Sequence, residues 1–124
     1  MTTEIFTNYI DILKTCESII GNTELIEADF DDDEYLDNLE FYEIREMAES
    51  IQKICLTDEL TPENLLDIND LCCDIYQFAK YLPDDFQYYK IDESKYDSIM
   101  YALNYIMIDS ANIRRALNLI PSAP

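Results

Sequence analysis

Apolar residues recur along this chain at alternating spacings of three and four, in four separate runs. That spacing lines one face of an α-helix, because successive residues turn by about 100°. The first run is Phe6, Tyr9, Leu13, Cys16 and Ile20, with Thr3 placed to cap it and Gly21 placed to stop it. It predicts a helix from about Glu4 to Ile20. The second run is Phe41, Ile44, Ala48, Ile51 and Cys55. Ahead of it, Asp37 followed three residues later by Glu40 is an acidic version of the capping box and starts the helix near Asn38. Tyr35, Leu39 and Tyr42 fall on the opposite side from Ile44, Ala48 and Ile51, which argues against extending this helix backwards. Residues 22–37 are then a connection, with room for one short turn over Thr23 to Ala28.

The third run, Leu65, Ile68, Cys72, Ile75, Ala79 and Leu82, is the most regular. Thr61 is its expected N-cap, Pro62 suits the first helical position, and Pro83 is expected to close it. The fourth run is Tyr96, Ile99, Leu103, Ile106, Ser110, Ile113, Leu117 and Ile120, opened by Asp92 or Ser94 and ended by Pro121. A helix of that length would overhang the others, so a break near Ser110 is expected. Arg114 and Arg115 in its last turns suit the negative end of the helix dipole. Four amphipathic stripes joined by short links predict an all-α fold, an antiparallel four-helix bundle with crossing angles of about 20°. The connections long enough to do more than turn the chain are Asn22 to Asp37, which is acidic, and Pro83 to Ile91.

Composition supports one such domain over residues 1–124, without a cofactor or disulfide to hold it. The chain is 48% hydrophobic with ten Tyr and five Phe, which separates it from disordered acidic sequences. One Gly and four Pro leave little material for hairpins or phosphate-cradling loops. Cys16, Cys55, Cys72 and Cys73 have no CxxC spacing and no His to complete a zinc set, and three of them fall on the apolar stripes. They read as small buried hydrophobes in a reducing compartment. No run of apolar residues is long enough to span a bilayer, and Met1 to Ile10 carries Glu4 and no base, so neither a membrane anchor nor a secretory signal is expected. The expected location is the cytoplasm.

Charge changes the picture more than composition does. The formal net charge is −19, and between Glu24 and Glu49 twelve acids face a single base, Arg45. Like charges three or four residues apart on a helix each cost roughly 0.2–0.5 kcal/mol, so this density works against folding. Solubility alone asks for a net charge of about 2–8 in magnitude. Direct binding to nucleic acid or to an anionic membrane is not expected, because both would repel the chain. What remains is a strongly basic protein surface or a multivalent cation.

For the first of these, carboxylates at Glu40, Glu43, Glu46 and Glu49 recur about every 4.5 Å along a helix, close to the ~3.4 Å charge spacing of a nucleic-acid strand. They wind around the helix, so a partner would also need the acids Asp29, Asp31, Asp32, Asp33, Glu34 and Asp37. Tyr35, Tyr42, Tyr81, Tyr88 and Tyr89 lie off the main stripes near acids and would serve as interface anchors or as half-buried bundle edges. For the second, Asp29, Asp31, Asp33, Tyr35, Asp37 and Glu40 match positions 1, 3, 5, 7, 9 and 12 of a calcium-binding EF-hand frame, with Leu36 at the apolar eighth position. The sixth position, where that motif wants Gly, is Glu34, and a helix ending at Gly21 leaves too few residues for the entering helix.

Further along, the helix Leu71 to Leu82, then Pro83-Asp84-Asp85, then Tyr89-Lys90-Ile91-Asp92-Glu93 leads into the helix through Ile99 and Leu103. The stretch Asp70 to Ile106 resembles the corresponding part of the colicin D type immunity proteins, acidic helical bundles that sit in the active site of a tRNA-cutting toxin. It covers under a third of the chain. The resemblance implies an inhibitory partner surface that would include Asp74, Asp84 and Asp85.

Enzymatic activity is not expected. With no His there is no ready general base at neutral pH and no imidazole partner for a Cys or Ser nucleophile. A carboxylate pair could serve a glycosidase, but Trp, the usual sugar-stacking surface, is absent. The expected function is therefore an acidic immunity or inhibitor protein, an antitoxin that blocks the cationic site of a basic nuclease toxin or similar nucleic-acid enzyme. The alternatives are a calcium-binding helical protein using residues 29–40 and an acidic scaffold whose partner is not a nuclease.

Overall fold

The computed structural model describes residues 3–29, 41–57, 61–85 and 93–117; at residues 3–9, 29, 41, 57, 85 and 93 only the backbone is described. The described chain forms four helices, α1 (Thr3–Asp29), α2 (Phe41–Thr57), α3 (Pro62–Asp85) and α4 (Glu93–Leu117), and no strand. Helices α1 and α3 each pack against both α2 and α4, so the four close a ring around one core.

That core is built from the expected spacings in three of the helices. In α2, Ile44, Ala48, Ile51 and Cys55 are buried, and in α3 so are Ile68, Cys72, Ile75, Ala79 and Leu82, with Leu65 partly covered. Helix α3 also starts as the sequence demands. Thr61 Oγ1 accepts a hydrogen bond from the Asn64 N–H at 3.1 Å, and its carbonyl accepts the first helical bond from Leu65 N–H at 2.9 Å. Two of the otherwise unsatisfied donors of the first turn are thereby paired, and Pro62 sits where a missing N–H costs nothing. The start of α2 near Asn38 and the cap at Asp92 lie outside the described residues.

The remaining boundaries need correction. Helix α1 does not stop at Gly21 but continues to Asp29, so residues 22–29 belong to the helix and not to a connection. Its buried face is Ile12, Cys16, Ile19, Thr23 and Ile26, with Leu13 and Ile20 only partly covered. The apolar stripe therefore runs straight past the glycine. Burying Ile26 and Thr23 outweighs a mid-helix Gly penalty of about 1 kcal/mol relative to Ala. A methyl group added at Gly21 would meet nothing within 4 Å. Gly21→Ala is accordingly expected to stabilise the protein by about 0.5–1 kcal/mol, seen as a rise of a few degrees in Tm by calorimetry.

Pro83 does not close α3, which carries it internally and ends at Asp85. A proline deletes one helical hydrogen bond but leaves the residues after it free to keep helical dihedrals for the half turn that remains. The acidic loop expected at Pro83-Asp84-Asp85 is thus helix. In α4 the chain passes Ser110 without a break. The hydroxyl causes no interruption because it donates to the Met107 carbonyl at 2.8 Å and is satisfied while fully buried. Tyr96, expected on the buried stripe of α4, is exposed, and Ile99 begins the buried face instead.

Candidate interaction surface

Most of the acidic residues singled out by sequence, Asp31, Asp32, Asp33, Glu34, Asp37 and Glu40, together with Tyr35 and Tyr88, lie outside the described residues. Asp29 and Asp85 are the last residues of α1 and α3. Of the others, Glu43 is exposed on α2, and Asp74 and Asp84 are exposed on α3. Asp74 and Asp84 stand about 15 Å apart along the axis and are turned some 80° from each other, so they do not share one line on that helix. Asp74 edges a shallow pocket with Gln77, Phe78 and Tyr81, and Tyr81 is exposed as its off-stripe position implies.

On α2 the helix period turns three carboxylates outward in sequence, Glu43, Glu46 and Glu49, all exposed. The single base of the acidic stretch does not neutralise them. Arg45 is half-buried and points at α1, where its Nε donates to Thr23 Oγ1 at 3.0 Å and its guanidinium donates to Glu27 Oε2 at 2.7 Å. Its plane also sits over the Tyr42 ring, 5.3 Å from the centroid, and Tyr42 completes the cluster by donating its hydroxyl to Glu27 Oε1 at 3.1 Å. The Arg45 bond, reinforced by Tyr42 and opposed by partial desolvation, holds the Glu27 carboxyl below its ordinary range. Thr23, fully buried, donates its hydroxyl to the Ile20 carbonyl at 2.6 Å, so the cluster leaves no buried side-chain polar atom unpaired. One cation is therefore consumed inside the α1–α2 joint. The surface outside it keeps its negative charge.

A second polar joint ties α1 to α4. Ser18 donates to Asp109 Oδ2 at 2.7 Å, while burial pushes the Asp109 carboxyl above its usual range against that hydrogen bond. A third joins α4 to α3, where Arg114 Nε donates to Asn69 Oδ1 at 3.1 Å.

The cysteines are reduced and unbridged. Cys16, Cys55 and Cys72 come from three different helices into the shared core, and burial pushes Cys55 up to about 11 and Cys72 up to about 12, with Cys16 raised further. Such thiols are inert because the reactive thiolate is inaccessible at neutral pH. Titration of the native protein with an aromatic disulfide reagent is expected to give at most one rapid equivalent, from half-buried Cys73, and four after denaturation. Among the described residues no three His, Cys, Asp or Glu side chains are grouped to hold a metal ion, and no helix is long and apolar enough to cross a membrane.

The Arg45 cluster is the joint that spacing alone does not expose. Its signal in the sequence was Arg45 itself, an isolated base one position beyond the buried Ile44 in a field of acids. Comparison of the chain with protein-family models, with curated proteins and with solved structures finds no match.

Proposed function

We propose that this chain is an acidic inhibitor of the immunity-protein kind, which binds a basic nuclease toxin or a similar nucleic-acid enzyme and blocks its cationic site without chemistry. The observation that carries the reading is the inward capture of Arg45, which leaves Glu43, Glu46 and Glu49 exposed on α2 in a sequence that carries further acids over 29–40. A surface built this way gains little per exposed ion pair, but it steers encounter with a cationic groove and raises association rates toward ~10⁸ M⁻¹s⁻¹. The bundle is read as antiparallel. Tyr42 and Arg45, early in α2, meet Glu27 and Thr23, late in α1, and Asp109, late in α4, meets Ser18 ahead of them.

The test is titration of the chain into a basic tRNA-cutting toxin domain while tRNA cleavage is followed. The expected result is inhibition complete at one equivalent, with an affinity that falls steeply between 50 and 300 mM salt, where the Debye length contracts from about 14 Å to under 6 Å. Changing Asp31, Asp32 and Asp33 to Asn or Ser is expected to weaken binding about tenfold at low salt without loss of helicity. Binding that ignores both changes would overturn the acidic surface as the contact.

A calcium-binding reading is kept for one reason. With α1 running to Asp29 and α2 described from Phe41, the frame Asp29 to Glu40 has a helix on each side, and the shortage of an entering helix no longer counts against it. Calorimetric titration of chelator-stripped protein at ~150 mM salt separates the readings. A saturable site lost on Glu40→Gln would favour calcium, and uptake that survives that change would be diffuse counterion binding.

A further inference from the structure

Helix α4 differs from the other three in charge. It carries three acids, Glu93, Asp97 and Asp109, and three bases, Lys95, Arg114 and Arg115, so in a chain of net charge −19 it is neutral. Its outward face also exposes three large apolar or aromatic side chains. Tyr101 is 63% exposed, Ile108 53% and Tyr105 41%, at the i, i+4, i+7 spacing that aligns them on one side of the helix. The two tyrosines are organised: their rings meet edge to face at 4.7 Å between centroids and their hydroxyls are 2.9 Å apart. Exposed Asn104, Ala111 and Asn112 fill the rest of that face, and none is charged.

The ends of the face are charged with opposite sign. Asp97 and Arg115, both exposed, are separated by five whole turns of the helix, so they lie on one line about 27 Å apart. A helix face with an acid at one end, a base at the other and an apolar centre is complementary to itself when turned end for end. A two-fold axis passing outside the helix at the level of residue 106 would set Asp97 of each copy opposite Arg115 of the other, with Tyr101 level with the small Ala111 and Ile108 level with Asn104. Large faces small and acid faces base, as an isologous contact requires. A basic partner would find few carboxylates on this face, whereas two copies at −19 each repel wherever else they approach.

We propose that the outward face of α4 is a self-association surface, on which a second copy of this chain docks in antiparallel register about the level of residue 106. One helix face is a small interface, so the dimer is weak, with a dissociation constant in the micromolar range. Because both copies are strongly acidic, its salt dependence has the sign opposite to that of capture by a basic partner: the dimer tightens as salt rises.

Sedimentation equilibrium of the full chain between about 5 and 500 μM, at 50 and 500 mM salt, tests this. The expected result is a monomer–dimer equilibrium shifted toward dimer at the higher salt. Asp97→Arg alone and Arg115→Asp alone are each expected to weaken the dimer about tenfold or more, since each places like charges opposite one another twice. The double exchange, Asp97→Arg with Arg115→Asp, is expected to return it to within about threefold of the parent, which no simple loss of folding would do. A chain that stays monomeric at 500 μM in both salts overturns the proposal. So does a dimer indifferent to the single exchanges, or one that the double exchange fails to restore.

Discussion

Replacing Ile106 with Ala is expected to destabilise the protein by about 2–4 kcal/mol, whereas the same change at Ile108, two residues on, is expected to fall within about 0.5 kcal/mol. The two positions have the same side chain in the same helix and opposite surroundings. Ile106 has no exposed surface and packs in the core between the helices, while Ile108 is 53% exposed on the outer face. Truncating Ile106 loses the transfer free energy of the deleted methyl and methylene groups and leaves a cavity that rigid neighbours fill only in part. Truncating Ile108 removes groups already half in water and leaves no enclosed cavity. Against a total stability of order 5–15 kcal/mol, the first change costs a large fraction of the whole. Urea denaturation followed by circular dichroism, with the slope unchanged in both variants, checks the pair. Equal losses at the two sites would mean that α4 is rotated from the face described.

The parts of the fold that sequence made legible are those where a local rule and a tertiary demand coincide. In α3, Thr61-Pro62 opens the helix and Ile68, Cys72, Ile75, Ala79 and Leu82 supply a face of one period; cap, dihedral preference and burial agree. In α1 they conflict. Gly21 and the nearest clean stripe both suggest a stop at Ile20, but Ile19, Thr23 and Ile26 are buried on a line about one position displaced, and tertiary burial wins over local propensity. Pro83 and Ser110 teach the same lesson at smaller cost. Each breaks a rule that holds strictly only when nothing satisfies the group concerned, and Ser110 has the Met107 carbonyl.

The candidate surface was legible in its charge and not in its partners. Counting acids from Glu24 to Glu49 identifies a field, but it does not say where Arg45 points. That depended on α1 extending far enough to bring Thr23 and Glu27 alongside α2, which the misplaced stop at Gly21 concealed. The outward tyrosines of α4 were hidden for a different reason. Tyr101 and Tyr105 belong to none of the apolar stripes, and only the burial of α4 from Ile99 onward shows them together on the outside.

Arg45→Met is expected to cost about 1–2 kcal/mol and to change how stability depends on pH. Methionine keeps much of the apolar stem but none of the donors, so Thr23 Oγ1 and Glu27 Oε2 each lose a charge-assisted bond. Charge-assisted bonds reach about 1.5–3 kcal/mol when buried; here the Arg45 and Glu27 side chains keep 20% and 39% of their surface, and solvent screening reduces the figure. The sign of the pH effect follows from Glu27. Its folded carboxyl titrates below the ordinary value of 4.5, chiefly because of Arg45, so its contribution is present above that value and is lost as pH falls through the lower folded one. Asp109 works in the other direction. Burial raises its folded carboxyl above 3.8, so protonation favours the folded state and stability from this group grows as pH falls through the raised value. In the parent, the Asp109 contribution should therefore raise the melting temperature as pH falls through its raised value, and the Glu27 contribution should lower it as pH falls below 4.5. In Arg45→Met the rise should persist and the fall below about pH 4.5 should shrink, since the pairing it reports is already gone. A variant whose acid limb matches the parent's would show that the Arg45–Glu27 pair does not set it.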